Sequence, residues 1–266
     1  MPQRPERGFF TEADGIYTPT KYAASPWSDT MLNGPCVSGL IARELENAHA
    51  PDGFVPARFT LDLFAPVRNE PITFTTTRVR DGNRIRVADA SLIQGGKVSA
   101  RATVVYLRRS EQPPGSVWTR DEHPEPPREV LDSPPATDTY SWYSSDGRWS
   151  RGRSEHQNAD RKRLWSRQLP VIVGEEQSPF VNTAMVGEGT SFVTNWGDKG
   201  VGFINADVTL ALSRLPEGLE VGVEADNHIG TDGVAVGTAV LFDRLGPFGT
   251  GVVTALANAH RQVDFG

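Results

Sequence analysis

Cysteine is almost absent from this chain. Of 266 residues only Cys36 is one, which excludes an internal disulfide and any metal site built on several cysteines, and which suits a reducing compartment. The five histidines, at 49, 123, 156, 228 and 260, are too scattered for ligand spacing. No run approaches the roughly 20 apolar residues of a membrane span, and the opening MPQRPERGFFTEADG lacks the apolar core of a secretion signal, so a cytoplasmic protein is expected. A basic excess is missing too. The net charge of −6 argues against nucleic acid as the main partner, because phosphate binding needs a basic face. There is no G-x-S-x-G elbow, no H-E-x-x-H, no P-loop and no G-x-G-x-x-G. No metal and no cofactor are expected.

What the chain does have is proline in one place. From Arg109 to Thr139 it is rich in proline and acidic residues, as in EQPPGSVWTRDEHPEPPREVLDSPP, and neither a helical nor a strand period survives there. Dense proline removes backbone donors and fixes φ, which reads as an extended connector. The expected organisation is an N-terminal domain over residues 1–110, a linker over 111–138 and a C-terminal domain over 139–266.

The two halves resemble each other. ARFTLDL at 57–63 lies over ADVTLAL at 206–212 at an offset of 149, with Ala, Thr and two Leu coinciding. After each come three β-rich runs parted by glycine-containing turns, DGN and QGG in the first half, TDG and RLGPFG in the second. Before each lies one helix. NGPCVSGLIARELENA places Val37, Leu40, Ile41 and Leu45 on one face, while SPFVNTAMVGEGTSFV is a weaker candidate because of its glycines. A period this long is a domain duplication. The expected fold is α+β, a tandem in which each half wraps a long antiparallel sheet around one helix. The offset pairs Asn33 with Asn182 and Asp207 with Arg58, which suggests one active site per tandem.

In FINADVTLAL, residues 203–212, strand alternation puts Phe203, Asn205, Asp207, Thr209 and Ala211 on one face and only apolar residues on the other. A polar face turned to water explains this. A carboxylate held in a cleft explains it equally.

SPWSDTMLNGPCVSGLIARELE, FINADVTLALSRLPEG and DGVAVGTAVLFDRLGPFGTG together resemble the double hotdog acyl-CoA thioesterases, specifically the thioesterase II (TesB-like) family. The resemblance implies a tandem double hotdog fold, hydrolysis of acyl-CoA thioesters to free acid and CoA, and association into a homodimer or higher oligomer. In that family an aspartate, a threonine and a glutamine hold the attacking water. Asp207 matches the aspartate, the threonine position falls on or near Asp226, and the glutamine position on or near Val253. Asn205, Thr209, Asn227 or Thr254 could hold the water instead.

Thioester hydrolysis needs an activated water and stabilisation of an oxyanion, but hardly an acid, since a thiol with a pKa near 8.5 leaves readily as thiolate. Asp207 would be the base, with Asp226 as a second catalytic carboxylate. Burial would have to raise the Asp207 pKa from its ordinary value. The helix N-terminus at LNGP would stabilise the oxyanion: Gly34 lets the ligand approach the backbone, Pro35 suits the first helical position, and Asn33 either caps the helix or holds the carbonyl oxygen. Gly34, Asn205, Thr209 and Asn227 are the expected substrate contacts.

Other features have plainer readings. Asp226 and His228 fit an acid and base pair or a surface turn. Cys36 near a helix N-terminus could be a nucleophile, yet a small buried residue is commoner there. The basic run from Arg148 to Arg167, interleaved with Trp149 and Trp165, could receive CoA phosphates but reads better as a solvated strand face with Trp anchors. The rival to hydrolysis is a non-catalytic acyl-CoA or lipid-binding protein of the same fold, which Val253 would favour.

Overall fold

The computed structural model describes residues 7–25, 28–258 and 262–266. Pro26 and Trp27, in the approach to the first helix, and His260 lie outside the described residues. The helices form where the apolar patterns place them, α1 over Gly34–His49 and α2 over Pro179–Asn195. α1 buries the expected Val37, Leu40, Ile41 and Leu45, but also Cys36, Ser38, Gly39 and Ala42, so that it is enclosed on every side from Cys36 to Ala42 and keeps a partly exposed face only in its later turns.

α2 goes further, because every residue from Phe180 to Asn195 except Phe192 is buried. Its glycines each cost about 1 kcal/mol of helix propensity, and here they allow close contact instead. A Cβ on Gly187 would sit 2.6 Å from Leu210 Cδ1, and one on Gly189 would sit 2.9 Å from Leu164 Cδ2. Packing thus sustains a helix that local sequence supports only weakly. The two helices also touch each other, with Ser38 Oγ donating to the Ala184 carbonyl at 2.7 Å.

One antiparallel sheet of twelve strands supports both helices. The first half supplies β1 (Phe54–Leu63), β2 (Thr73–Asp81), β3 (Ile85–Gln94) and β4 (Lys97–Arg108). The second half supplies β5 (Tyr140–Ser145), β6 (Arg148–Ser150), β7 (Arg163–Arg167), β8 (Phe203–Asn205), β9 (Asp207–Leu212), β10 (Val221–Thr231), β11 (Val234–Asp243) and β12 (Gly246–Ala257). The order is β6-β5-β7-β10-β11-β12-β9-β1-β4-β3-β2, with β8 pairing with β12. The expected α+β arrangement of two helix-and-sheet halves is therefore present, joined through β1 and β9.

The sequence offset reappears at that joint. Thr60 stands opposite Thr209, 149 residues on, and their hydroxyls lie 3.2 Å apart. Equivalent residues meet there as they would on a local twofold axis.

The hairpins also follow the turn residues: Asp232 and Gly233 both take positive φ, 51° and 79°, as a two-residue turn between twisted strands requires. Strands β5 to β7 follow the proline-rich segment and form one edge of the sheet.

Residues 111–138 contain no strand and a single helical turn, Arg128–Leu131. Val130 from that turn joins Trp165 and Phe242 in a small core separate from the main one. Among the described residues no helix is long and apolar enough to cross a membrane.

Candidate active site

A cavity of about 850 Å³ opens at the N-terminus of α1, lined by both halves of the chain. Asn33 and Gly34 from the first half and Glu188 and Asn205 from the second half are among its walls. Asn33 occupies the N-cap position but its side chain makes no cap hydrogen bond, so the amide is not committed to the helix. The first-turn N–H groups of Gly34 and Cys36 have no carbonyl a turn earlier to bond, and Pro35 contributes no donor.

Glu188 is the group that sequence reasoning missed. It is the one charged residue in α2, set between Gly187 and Gly189, and it is 7% exposed. Its carboxyl lies so close to α1 that a Cβ on Gly34 would sit 2.6 Å from Glu188 Cδ. Asn205 Nδ2 donates to Glu188 Oε1 at 3.2 Å. Burial pushes the Glu188 pKa up to about 8, and the Asn205 hydrogen bond opposes that rise. A lone carboxylate in an otherwise uncharged helix was the available signal, because burying a charge costs too much without a use or a partner.

Asp207 is elsewhere. The ladder against β12 slips by one residue between the pairs Asn205–Ala255 and Thr209–Val252, with Ala206 at the break. A one-residue slip reverses which face a side chain occupies. Asn205 therefore turns to the cavity while Asp207 turns to the other face of the sheet, contrary to the expectation that they share a side. There Asp207 accepts from the Thr254 backbone N–H at 3.0 Å and from the Thr254 hydroxyl.

The remaining expected contacts are also outside the cavity lining. Thr209 meets Thr60. Asp226 sits at a bulge between Ala225 and Asn227, pairs with Arg120 at 3.0 Å and accepts from Thr238 Oγ1 at 3.1 Å. Asn227 accepts from the His228 backbone N–H through its side chain. Val253 is fully buried and is not a wall of the cavity. Of the seven expected site residues, the fold brings three together, Asn33, Gly34 and Asn205.

Cys36 is fully buried, and its Sγ donates to the Asn33 carbonyl at 3.0 Å. Burial raises its pKa far above the ordinary thiol range, which makes a poor nucleophile. In the basic run, Arg148 pairs with Asp146, Arg161 and Arg163 pair with Glu224, and Lys162 is buried with its ammonium on the Asn158 carbonyl at 2.7 Å.

Two helices cradled by one continuous antiparallel sheet, with a cavity at a helix N-terminus between the halves, define a tandem double hotdog protein. The particular resemblance is borne out as well: residues 23–107 match the family described as acyl-CoA thioesterase N-terminal domain. Solved structures share the fold across nearly the whole chain. The tesB protein of Mycobacterium avium subs paratuberculosis is 13% identical with a TM-score of 0.65, covering 93% of this chain and 95% of its own. A hot dog fold protein from Alicyclobacillus acidocaldarius is 15% identical with a TM-score of 0.64, over 93% and 95%. The acyl-CoA thioesterase II TesB2 of Mycobacterium marinum is 12% identical with a TM-score of 0.61, over the same shares. No curated protein sequence matches the chain. At such identities the structures speak for the fold, while the family match supports thioester hydrolysis as the general class of activity.

Proposed function

We propose that this protein hydrolyses acyl-CoA thioesters, with Glu188 rather than Asp207 as the base. The observation that carries the reading is the buried Glu188 carboxyl, set against Gly34 at the N-terminus of α1 and held by Asn205 inside the cavity. In its ionised form Glu188 takes a proton from a water as that water attacks the thioester carbonyl carbon. The developing oxyanion is stabilised by the N-terminus of α1, where the helix dipole favours negative charge, and by the Asn33 amide, which makes no cap hydrogen bond. Collapse of the tetrahedral intermediate expels CoA as thiolate, which needs little help because its conjugate thiol has a pKa near 8.5. Asn205 acts as a positioning residue, since it fixes the rotamer of Glu188.

The test is thiol release from a panel of short to long acyl-CoAs by the wild type, Glu188→Gln and Asp207→Asn. Release that collapses in Glu188→Gln and survives in Asp207→Asn supports this assignment. Collapse in Asp207→Asn alone returns the base to Asp207. No release by the wild type, together with measurable acyl-CoA binding, makes the protein a ligand-holding relative.

A further inference from the structure

Both halves give the cavity apolar walls, but its hydrogen-bonding side chains come mostly from the second. Apart from Ser25 and Asn33, the first half contributes apolar groups, among them Met31, Leu32, Leu63 and Val67. The second half also contributes apolar groups, among them Leu164, Phe203 and Leu256, and adds a set that the first half lacks, Ser141, Tyr143, Arg153 and Gln168, all able to hydrogen-bond. A fatty acyl chain has no use for that second set. The pantetheine arm of a thioester, with two amides, a hydroxyl and a phosphate beyond them, has a use for all of it.

Arg153 is held but not neutralised. Its Nε donates to the Tyr143 hydroxyl at 2.9 Å, and its guanidinium carbon lies 5.2 Å from the Tyr143 ring and 5.4 Å from the Phe265 ring. Arg148, Arg161 and Arg163 of the same segment are paired with carboxylates, whereas Arg153 has no carboxylate partner among the described residues. Two aromatic faces and one hydroxyl fix the stem and leave the outer fork free, the geometry that receives a phosphate in two parallel hydrogen bonds.

We propose that Arg153 binds the phosphate end of the pantetheine arm, so that the arm lies along the polar groups of the second half and the acyl group lies against the apolar walls. This orientation rests on the thioesterase reading given above. It makes Arg153 a specificity-determining residue that separates CoA thioesters from phosphate-free ones.

The experiment compares one acyl-CoA with the same acyl group on pantetheine, which carries no phosphate, as substrates of the wild type, Arg153→Met and Arg153→Lys. The wild type should prefer the CoA ester by about tenfold or more in kcat/KM, and Arg153→Met should lose most of that preference through a higher KM while treating the pantetheine ester as the wild type does. Arg153→Lys, which keeps the charge and loses the fork, should fall between. An undiminished preference in Arg153→Met overturns the proposal. Calorimetric titration with CoA itself supplies a readout that needs no turnover. If the wild type releases no thiol yet binds CoA about tenfold more tightly than Arg153→Met does, the hydrolytic reading fails and the Arg153 assignment stands. If CoA binds both proteins equally, the assignment fails whatever the rates show.

Discussion

Gly34 and Glu188 come from opposite halves of the chain and meet face to face, with no room between them for a single carbon. The glycine is needed for space here and not for an unusual backbone angle. Alanine at the first position of a helix is a favourable choice in itself. Gly34→Ala should therefore keep the fold and displace the carboxyl, lowering kcat on an acyl-CoA by about 10- to 100-fold, as small misplacements of a catalytic group do. Circular dichroism and a thermal melt close to wild type, alongside that loss, would assign the effect to the site. An unchanged kcat would show that the Glu188 position tolerates movement and is not the base.

A base with a pKa near 8 is protonated in most molecules at neutral pH. The rate should therefore climb as pH rises through about 8 and level off above it, since only the carboxylate can take a proton from water. In Glu188→Gln this limb should vanish and the remaining rate should be lower by about 100-fold or more. The measurement is kcat/KM against pH for both proteins. A wild-type profile already flat from pH 6 upward would contradict the assignment.

Asp207 offers the complementary case. Its carboxylate accepts two hydrogen bonds from Thr254 on the face of the sheet away from the cavity. Asp207→Ala should cost about 1 kcal/mol of stability through those bonds and leave hydrolysis within about twofold of wild type. Urea unfolding and thiol release on the same preparation separate the two effects.

The buried thiol gives a further check. Cys36 has no exposed surface and a raised pKa, so a thiol-reactive dye should label the native protein only as fast as the helix region opens, and the denatured protein at once. Rapid labelling in native buffer, with loss of activity, would restore Cys36 as a candidate nucleophile.

The duplication was legible because strand pairing and sequence similarity share one geometry. The offset of 149 that aligns ARFTLDL with ADVTLAL is also the separation of Thr60 and Thr209 across the central pair. α1 was legible from its stripe. α2 was dimmer, since a helix buried on all sides has no polar face to set its period, and the contacts that justify Gly187 and Gly189 come from strands far along the chain. The candidate cavity is legible only in part. Asn33, Gly34 and Asn205 were named, but the slip at Ala206 is set by hydrogen bonds to β12 and β1, with Ala206 N donating to the Thr254 carbonyl and Leu63 N donating to the Ala206 carbonyl. Nothing in FINADVTLAL announces that slip, so a continuous alternation placed Asp207 on the wrong side. Glu188 was written in the sequence as a single charge inside MVGEGTSF, and its meaning lay in what surrounds it.

Glu188 also ties stability to pH in a direction opposite to most glutamates. Its folded pKa of about 8 lies above the ordinary 4.5, so between those values the unfolded chain releases a proton that the folded protein keeps. The stabilisation that the neutral acid contributes is complete below about pH 4.5, declines as pH rises, and is lost by the time the folded group ionises near 8. Glutamine in its place carries no such dependence. Glu188→Gln should therefore gain on the wild type in Tm as pH is raised from about 5 to about 8, with the gap constant above that, while every other titrating group affects both proteins alike. Parallel Tm curves across that range would mean that the carboxyl is already ionised in the folded protein at neutral pH, and that its burial against Gly34 is less complete than the geometry implies.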